Sequence, residues 1–179
     1  MAVVGDLGAE RARSLLRRTV GRLPAGEAPE PLPEVPRMES GEQVFVERDI
    51  SQAHVLMGEP ASERGAPDHF PLLVGNYSLG GGGFSSRLME VVREEHGLSY
   101  SVFSTFQPMA RRGPFIAGLQ TRNDKLGKAL DLLEEEVARF VADGPTADEL
   151  EAAQKYLTGS FPLRIDSNRK IVDYLAMIG

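Results

Sequence analysis

Apolar residues recur along this chain at two different spacings, and each change of spacing marks an element. From about Ala9 to Arg22 they return every three or four positions, at Ala12, Leu15, Leu16 and Val20, which predicts an amphipathic helix. The short apolar run from Ala2 to Gly5 before it reads as a strand. Residues 43–49 (QVFVERD) and 52–59 (QAHVLMGE) alternate instead. Val44 and Val46 oppose Phe45 and Glu47, while Ala53, Val55 and Met57 oppose His54 and Leu56, the period of two expected of strands. Residues 98–108 (LSYSVFSTFQP) and 113–122 (GPFIAGLQTR) flank the polar turn 109–112 (MARR), so they are predicted to pair as antiparallel strands.

The helical period returns from about Asp68 to Gly81, with Pro71 tolerated in the first turn. It returns again from Ser85 to His96, where Phe84, Leu88, Val91 and Val92 share one face and Gly97 supplies the stop. A long helix is expected over Asp124 to Asp143, capped by Asn123, with Leu126, Leu130, Leu133, Val137 and Phe140 at helical spacing. Gly144-Pro145 breaks it, and Thr146 to Glu149 forms a capping box for the next helix, which carries Leu150, Ala153 and Leu157. A last helix begins near Ser167. Residues 23–36 hold five prolines, which fix φ and remove donors, so this stretch is expected to be an extended connector. Its P-E-V-P also fits P-x-x-P, a match too common to carry a function. Strands that arrive in adjacent pairs, with helices between and after them, predict an α+β fold: an antiparallel or mixed sheet with helices packed on one face. Residues 1–179 are expected to form a single domain. The strand-like opening and the apolar pattern still running at 171–179 lead us to expect a piece of a longer chain.

Composition narrows the function classes. With 41% apolar and 26% charged residues the chain is ordinary for a globular domain, and no window is long and apolar enough for a membrane span. A net charge of −6 argues against general nucleic-acid or anionic-membrane binding. The adjacent Arg111 and Arg112 make no basic stripe and are expected in a solvated turn. There is no cysteine, which removes disulfides, thiolate metal sites and thiol nucleophiles. His54, His69 and His96 are too scattered for a self-contained metal site.

The chemistry concentrates in 80-GGGGFSSRLMEVVREEHGLSY-100. The glycine run lacks the lysine of a phosphate loop and the preceding strand of a dinucleotide fold, so it reads as a sharp turn with close packing. In 92-VREEH-96 a valine stands where an H-x-x-E-H zinc motif needs its first ligand, so this segment holds no zinc site of that kind and reads as a polar helix end. Arg93 lies off the apolar stripe, and Tyr100 sits on the following strand just past the Gly97 turn. Two readings stand for this pair. A guanidinium and a phenol at one edge could both donate to a peptide carbonyl, and more strongly to the oxyanion formed when it is attacked. Alternatively, Arg93 pairs with Glu90 on the surface and Tyr100 is buried for packing.

The stretch GGGGFSSRLMEVVREEHGLSYSVFS resembles the second, substrate-binding domain of the M16 family of zinc metallopeptidases. The resemblance extends over nearly the whole chain: VVGDL, GNYSLGGGGFSSRL, VREEHGLSYSV and TADELEAAQKYLTGSF fall in the family's order. It implies an α+β unit duplicated into a clam-shaped protease, one half carrying an inverted zinc motif and the other an Arg–Tyr pair. Arg93 and Tyr100 match that pair in spacing and surroundings, which favours the first reading. By resemblance Tyr100 would donate to the developing oxyanion and Arg93 would hold substrate backbone. Lacking H-x-x-E-H, the chain would have no cofactor of its own and no activity alone. It would need a zinc-bearing half, upstream or on a partner subunit, and would take a peptide as substrate. The resemblance also suggests a bacterial periplasmic setting. The alternative of another class is a non-catalytic scaffold of the same fold, as in the family's core proteins of respiratory complexes.

Overall fold

A computed structural model describes residues 2–178, which form two compact units: residues up to 31 with those from 156 onward, and residues 32–155. The first is helical. It contains α1 (Ala9–Thr19), a 3-10 turn at Val20–Arg22, the last turns of α4 (Ala147–Arg164) and α5 (Asn168–Ile178). Helix α1 fits the expected amphipathic pattern, yet neither α1 nor α5 has a fully buried residue. The Ser167 hydroxyl caps α5 by accepting the Lys170 N–H at 3.3 Å, and Phe161 meets Tyr174 edge to face at 6.2 Å. Residues 2–4 are not a strand, contrary to expectation. A strand needs a partner edge, and the rest of their own unit is helix and coil.

The larger unit holds the sheet, which is three-stranded and antiparallel in the order β1 (Gln52–Pro60), β3 (Pro114–Arg122), β2 (Ser99–Phe106). β1 pairs along its full length with β3, from Gln52 opposite Arg122 to Pro60 opposite Pro114. β2 runs into β3 through the turn expected at 109–112, and the two pair antiparallel. The alternation read for β1 holds: Ala53, Val55 and Met57 turn inward while His54 and Leu56 face out. The inward face of the sheet (Val102, Phe115, Ala117, Leu119) packs on Leu79, Leu88, Met89, Val92, Ala129 and Leu133 from the helices. Full burial of Leu88, Val92 and Leu133 removes each from water, a gain of about 1.5–3 kcal/mol per side chain. This is the expected α+β arrangement, with helices on one face of an antiparallel sheet.

Two local expectations fail in this unit, and a third is extended by contacts the sequence does not show. Residues 43–49 do not form a strand, and Val44, Phe45 and Val46 stay exposed in irregular chain. Propensity favours a strand there, but a strand forms only against a neighbouring edge and no described segment pairs with this one. Asn123 does not cap the long helix α3 (Leu126–Asp143). Its side-chain amide donates to Ile50 O at 2.7 Å, and a 3-10 turn at Asn123–Lys125 precedes the helix. Arg111 and Arg112 are not idle in their turn. Arg111 Nε donates to Leu32 O at 3.0 Å and pairs with Glu34 at 2.9 Å, while Arg112 Nη2 donates to Val35 O at 2.6 Å. The two guanidiniums thereby fasten the extended proline-rich stretch 32–35.

Candidate functional site

The site is built at the corner where a helix hands the chain to β2. Helix α2 (His69–Asn76) runs into a π-wound turn at Tyr77–Gly81, a 3-10 turn at Gly83–Ser85 follows, and residues 87–95 are helical again, π-wound from Met89 to Glu95. Such wide turns are rare and recur at functional sites. The glycines serve close packing, as the sequence suggests: a Cβ on Gly80 would lie 2.5 Å from both Ser104 N and Ser104 Oγ, inside contact distance. Only a residue without a side chain lets the turn approach β2 this closely. A buried pair fixes the same contact, Asn76 Nδ2 donating to Ser104 O at 3.0 Å and Ser104 Oγ donating to Asn76 Oδ1 at 2.6 Å.

Arg87, at the start of the second helix, anchors it. Its Nε and Nη2 each donate to Glu149 at 2.6 Å, and Nη2 also donates to Gly144 O at 3.0 Å. Nη1 lies 3.7 Å from Glu136, a carboxylate only 2% exposed that Arg139 also approaches at 2.9 Å. The hydrogen bonds from Arg87 hold the Glu149 carboxyl down to about 2, against a desolvation that pushes it up. Glu149 closes the expected capping box as well, accepting the Thr146 N–H at 2.6 Å while Thr146 Oγ1 accepts the Glu149 N–H at 3.2 Å.

At the other end, Gly97 adopts φ +59 and stops the helix; its N–H bonds to Arg93 O at 2.9 Å and that of Leu98 to Val92 O at 3.0 Å. The chain then enters β2 through a β-bulge: Ser99 faces Thr121 and Ser101 faces Gln120, which leaves Tyr100 as the extra residue. Ser99 Oγ braces the bulge, lying 2.7 Å from both Ser101 O and Gln120 O and accepting the Ser101 N–H at 3.2 Å. A bulge re-aims the side chain of its extra residue. Here Tyr100 is 85% exposed.

Arg93 and Tyr100 meet. The Arg93 guanidinium carbon stands 5.2 Å from the centre of the Tyr100 ring and 4.6 Å from that of Phe84, so the cation stacks on two aromatic faces. Arg93 as a whole is half-buried. Stacking uses the faces of the guanidinium and leaves its N–H edge free. Among the described residues neither the Arg93 guanidinium nor the Tyr100 hydroxyl has a hydrogen-bond or ion-pair partner. The surface pairing of Arg93 with Glu90 and the burial of Tyr100 are thus both absent. The helical spacing predicts Phe84 on the apolar helix face. It lies instead in the 3-10 turn, 68% exposed. The signal against that assignment was the glycine run itself, which ends any regular helix before Phe84. The bulge has no counterpart in the strand pattern, because period two cannot register an inserted residue.

The residues do not fit a metal. Among the described residues no three His, Cys, Asp or Glu side chains cluster as ligands. Val92, standing where the zinc motif would have its first histidine, is fully buried in the core. His96 Nδ1 is bonded to Val91 O at 2.9 Å.

The sequence profile described as "Peptidase M16 inactive domain" matches residues 1–157. The chain belongs to the M16 inactive-domain family. A crystal structure of a peptidase M16 inactive domain from Pseudomonas fluorescens is similar over 98% of this chain and 41% of that one, with a TM-score of 0.89 and 36% identity. The "non-peptidase homolog YmxG" of Helicobacter pylori is 35% identical over 164 residues, covering 89% of this chain and 37% of that protein. An "uncharacterized zinc protease YmxG" of Bacillus subtilis is 32% identical over 126 residues, or 70% of this chain and 31% of that one. This chain therefore spans about two fifths or less of the length of these M16 relatives.

Proposed function

We propose that this chain is the substrate-binding, zinc-free half of an M16-type metalloendopeptidase. Arg93 and Tyr100 contribute donors to an active site that is completed by a zinc-bearing H-x-x-E-H half or partner subunit. The observation that carries this reading is the pair of unspent donors held together at an exposed corner, a guanidinium edge and a phenol 5.2 Å apart by carbon and ring centre. A peptide carbonyl has two lone pairs and no proton, so it accepts from both groups. When water attacks the carbonyl its oxygen gains charge and both hydrogen bonds strengthen, which is the differential stabilisation catalysis requires. Tyr100 acts only as a hydrogen-bond donor. Water activation belongs to the partner half, since among the described residues no cluster of ligands fits the metal.

The test mixes the protein with its zinc-bearing partner and compares peptide hydrolysis for wild type, Arg93→Ala and Tyr100→Phe. Loss of one oxyanion donor is expected to lower kcat roughly 10²-fold. Unchanged turnover in both variants rejects the role. The second reading is a scaffold or binding subunit without catalytic use, favoured by the similarity to a Helicobacter pylori protein named as a non-peptidase homolog. It predicts that neither substitution alters any partner's activity, and that no H-x-x-E-H occurs in the remainder of the protein or its partner.

A further inference from the structure

Phe84 is the part of this corner that the sequence pattern misplaced and that the Arg–Tyr pair does not explain. A large aromatic side chain left 68% exposed on a turn is held by little: Arg93 stacks on one face at 4.6 Å, and most of the remaining ring surface meets solvent. The turn beneath it is fixed. Ser86 Oγ donates to Gly83 O at 2.6 Å, and a Cβ on Gly82 would lie 2.6 Å from Tyr77 O, so the backbone carrying Phe84 packs tightly against the preceding turn. The ring is therefore presented from a braced loop, not trailing from a loose one. The same Arg93 guanidinium also stands over a second exposed ring, that of Tyr100, at 5.2 Å. An exposed apolar surface beside free donors suits an extended peptide. The donors take a main-chain carbonyl, and the apolar surface takes the side chain next to it.

We propose that Phe84 is a specificity-determining residue: its uncovered ring surface forms a subsite for an apolar side chain of the peptide whose carbonyl Arg93 and Tyr100 hold. The substrate class is then peptides bearing an apolar or aromatic residue beside the gripped carbonyl, with acidic and small polar residues disfavoured. This rests on the carbonyl-binding reading given above, and the experiment separates the two.

The full chain is titrated with acetyl-Ala-Phe-Ala-amide and with acetyl-Ala-Ser-Ala-amide, following chemical shifts by NMR. Wild type is expected to bind the phenylalanine peptide about 5-fold or more tightly than the serine peptide, the order expected for partly burying one aromatic side chain. Phe84→Ser is expected to remove that difference, and Phe84→Leu to keep most of it. Tyr100→Phe is expected to weaken both peptides alike and leave the preference intact. Equal affinity of wild type for the two peptides overturns the proposal. So does a preference that survives in Phe84→Ser, or no binding of either peptide at millimolar concentration. If Tyr100→Phe changes neither affinity while the preference persists, the donor role of Tyr100 fails and the Phe84 subsite stands.

Discussion

Replacing Arg87 by methionine keeps the aliphatic stem and removes the guanidinium from the most densely bonded charge cluster in the larger unit. Two bonds of 2.6 Å to Glu149 and one of 3.0 Å to Gly144 O disappear, and Glu136, 2% exposed, keeps only Arg139 as a counter-charge. Breaking a fully buried pair from one side costs about 3–5 kcal/mol, and the partial exposure of Arg87 and Glu149 (15% and 28%) brings the expected loss here to about 2 kcal/mol. That is a large share of a typical total of roughly 5–15 kcal/mol. The acid limb gives an independent measure. Glu149 titrates near 2 when folded against an ordinary 4.5, so between these values the unfolded chain binds more protons. The stabilisation is complete above about pH 4.5 and is lost as pH falls toward about 2. At about 1.4 kcal/mol per pH unit the gap amounts to roughly 3 kcal/mol, reduced to about 2 because the Glu149 side chain is still 28% exposed to screening solvent. Urea denaturation at pH 7 and at stepped pH below 5 measures both. Glu149→Gln retains a side chain that can reach the Thr146 N–H, so the cycle Arg87→Met, Glu149→Gln isolates the ion pair from the cap. The expected coupling is about 2 kcal/mol, with a flatter acid limb in either variant. A loss under about 1 kcal/mol at pH 7, with no coupling and an unchanged acid limb, would refute the view that this cluster anchors the helix.

Two further perturbations probe how the corner is held. Ser99→Ala removes the hydroxyl that braces the bulge and is expected to cost about 1 kcal/mol, with faster amide exchange at Tyr100 and Ser101 and little change in β1; equal exchange rates would show that the bulge holds without it. Gly80→Ala puts a methyl 2.5 Å from backbone and hydroxyl of Ser104 and is expected to destabilise by about 3 kcal/mol or more in thermal or urea unfolding. A variant of wild-type stability would mean that the turn can retreat from β2.

The chain's own pattern determined most of what repeats. Helix α3, the capping box at Thr146, the β2–β3 hairpin and the inward face of β1 follow from periodicity and local turn chemistry, which act over a few residues and are written in sequence order. Arg93 and Tyr100 stood out in the sequence through their resemblance to the M16 pair, while periodicity and the Gly97 stop by themselves left two readings open. Tertiary structure alone decided what depends on a distant partner. Residues 43–49 have every local reason to be a strand and no edge to join, and Asn123 has a cap's chemistry but spends it on Ile50. The placement of Phe84 over Arg93, and the bulge that turns Tyr100 outward, arise where a packed turn and a sheet register must be reconciled at one corner. Local propensity carries no term for that compromise, because its energy belongs to contacts between segments and not to either segment by itself.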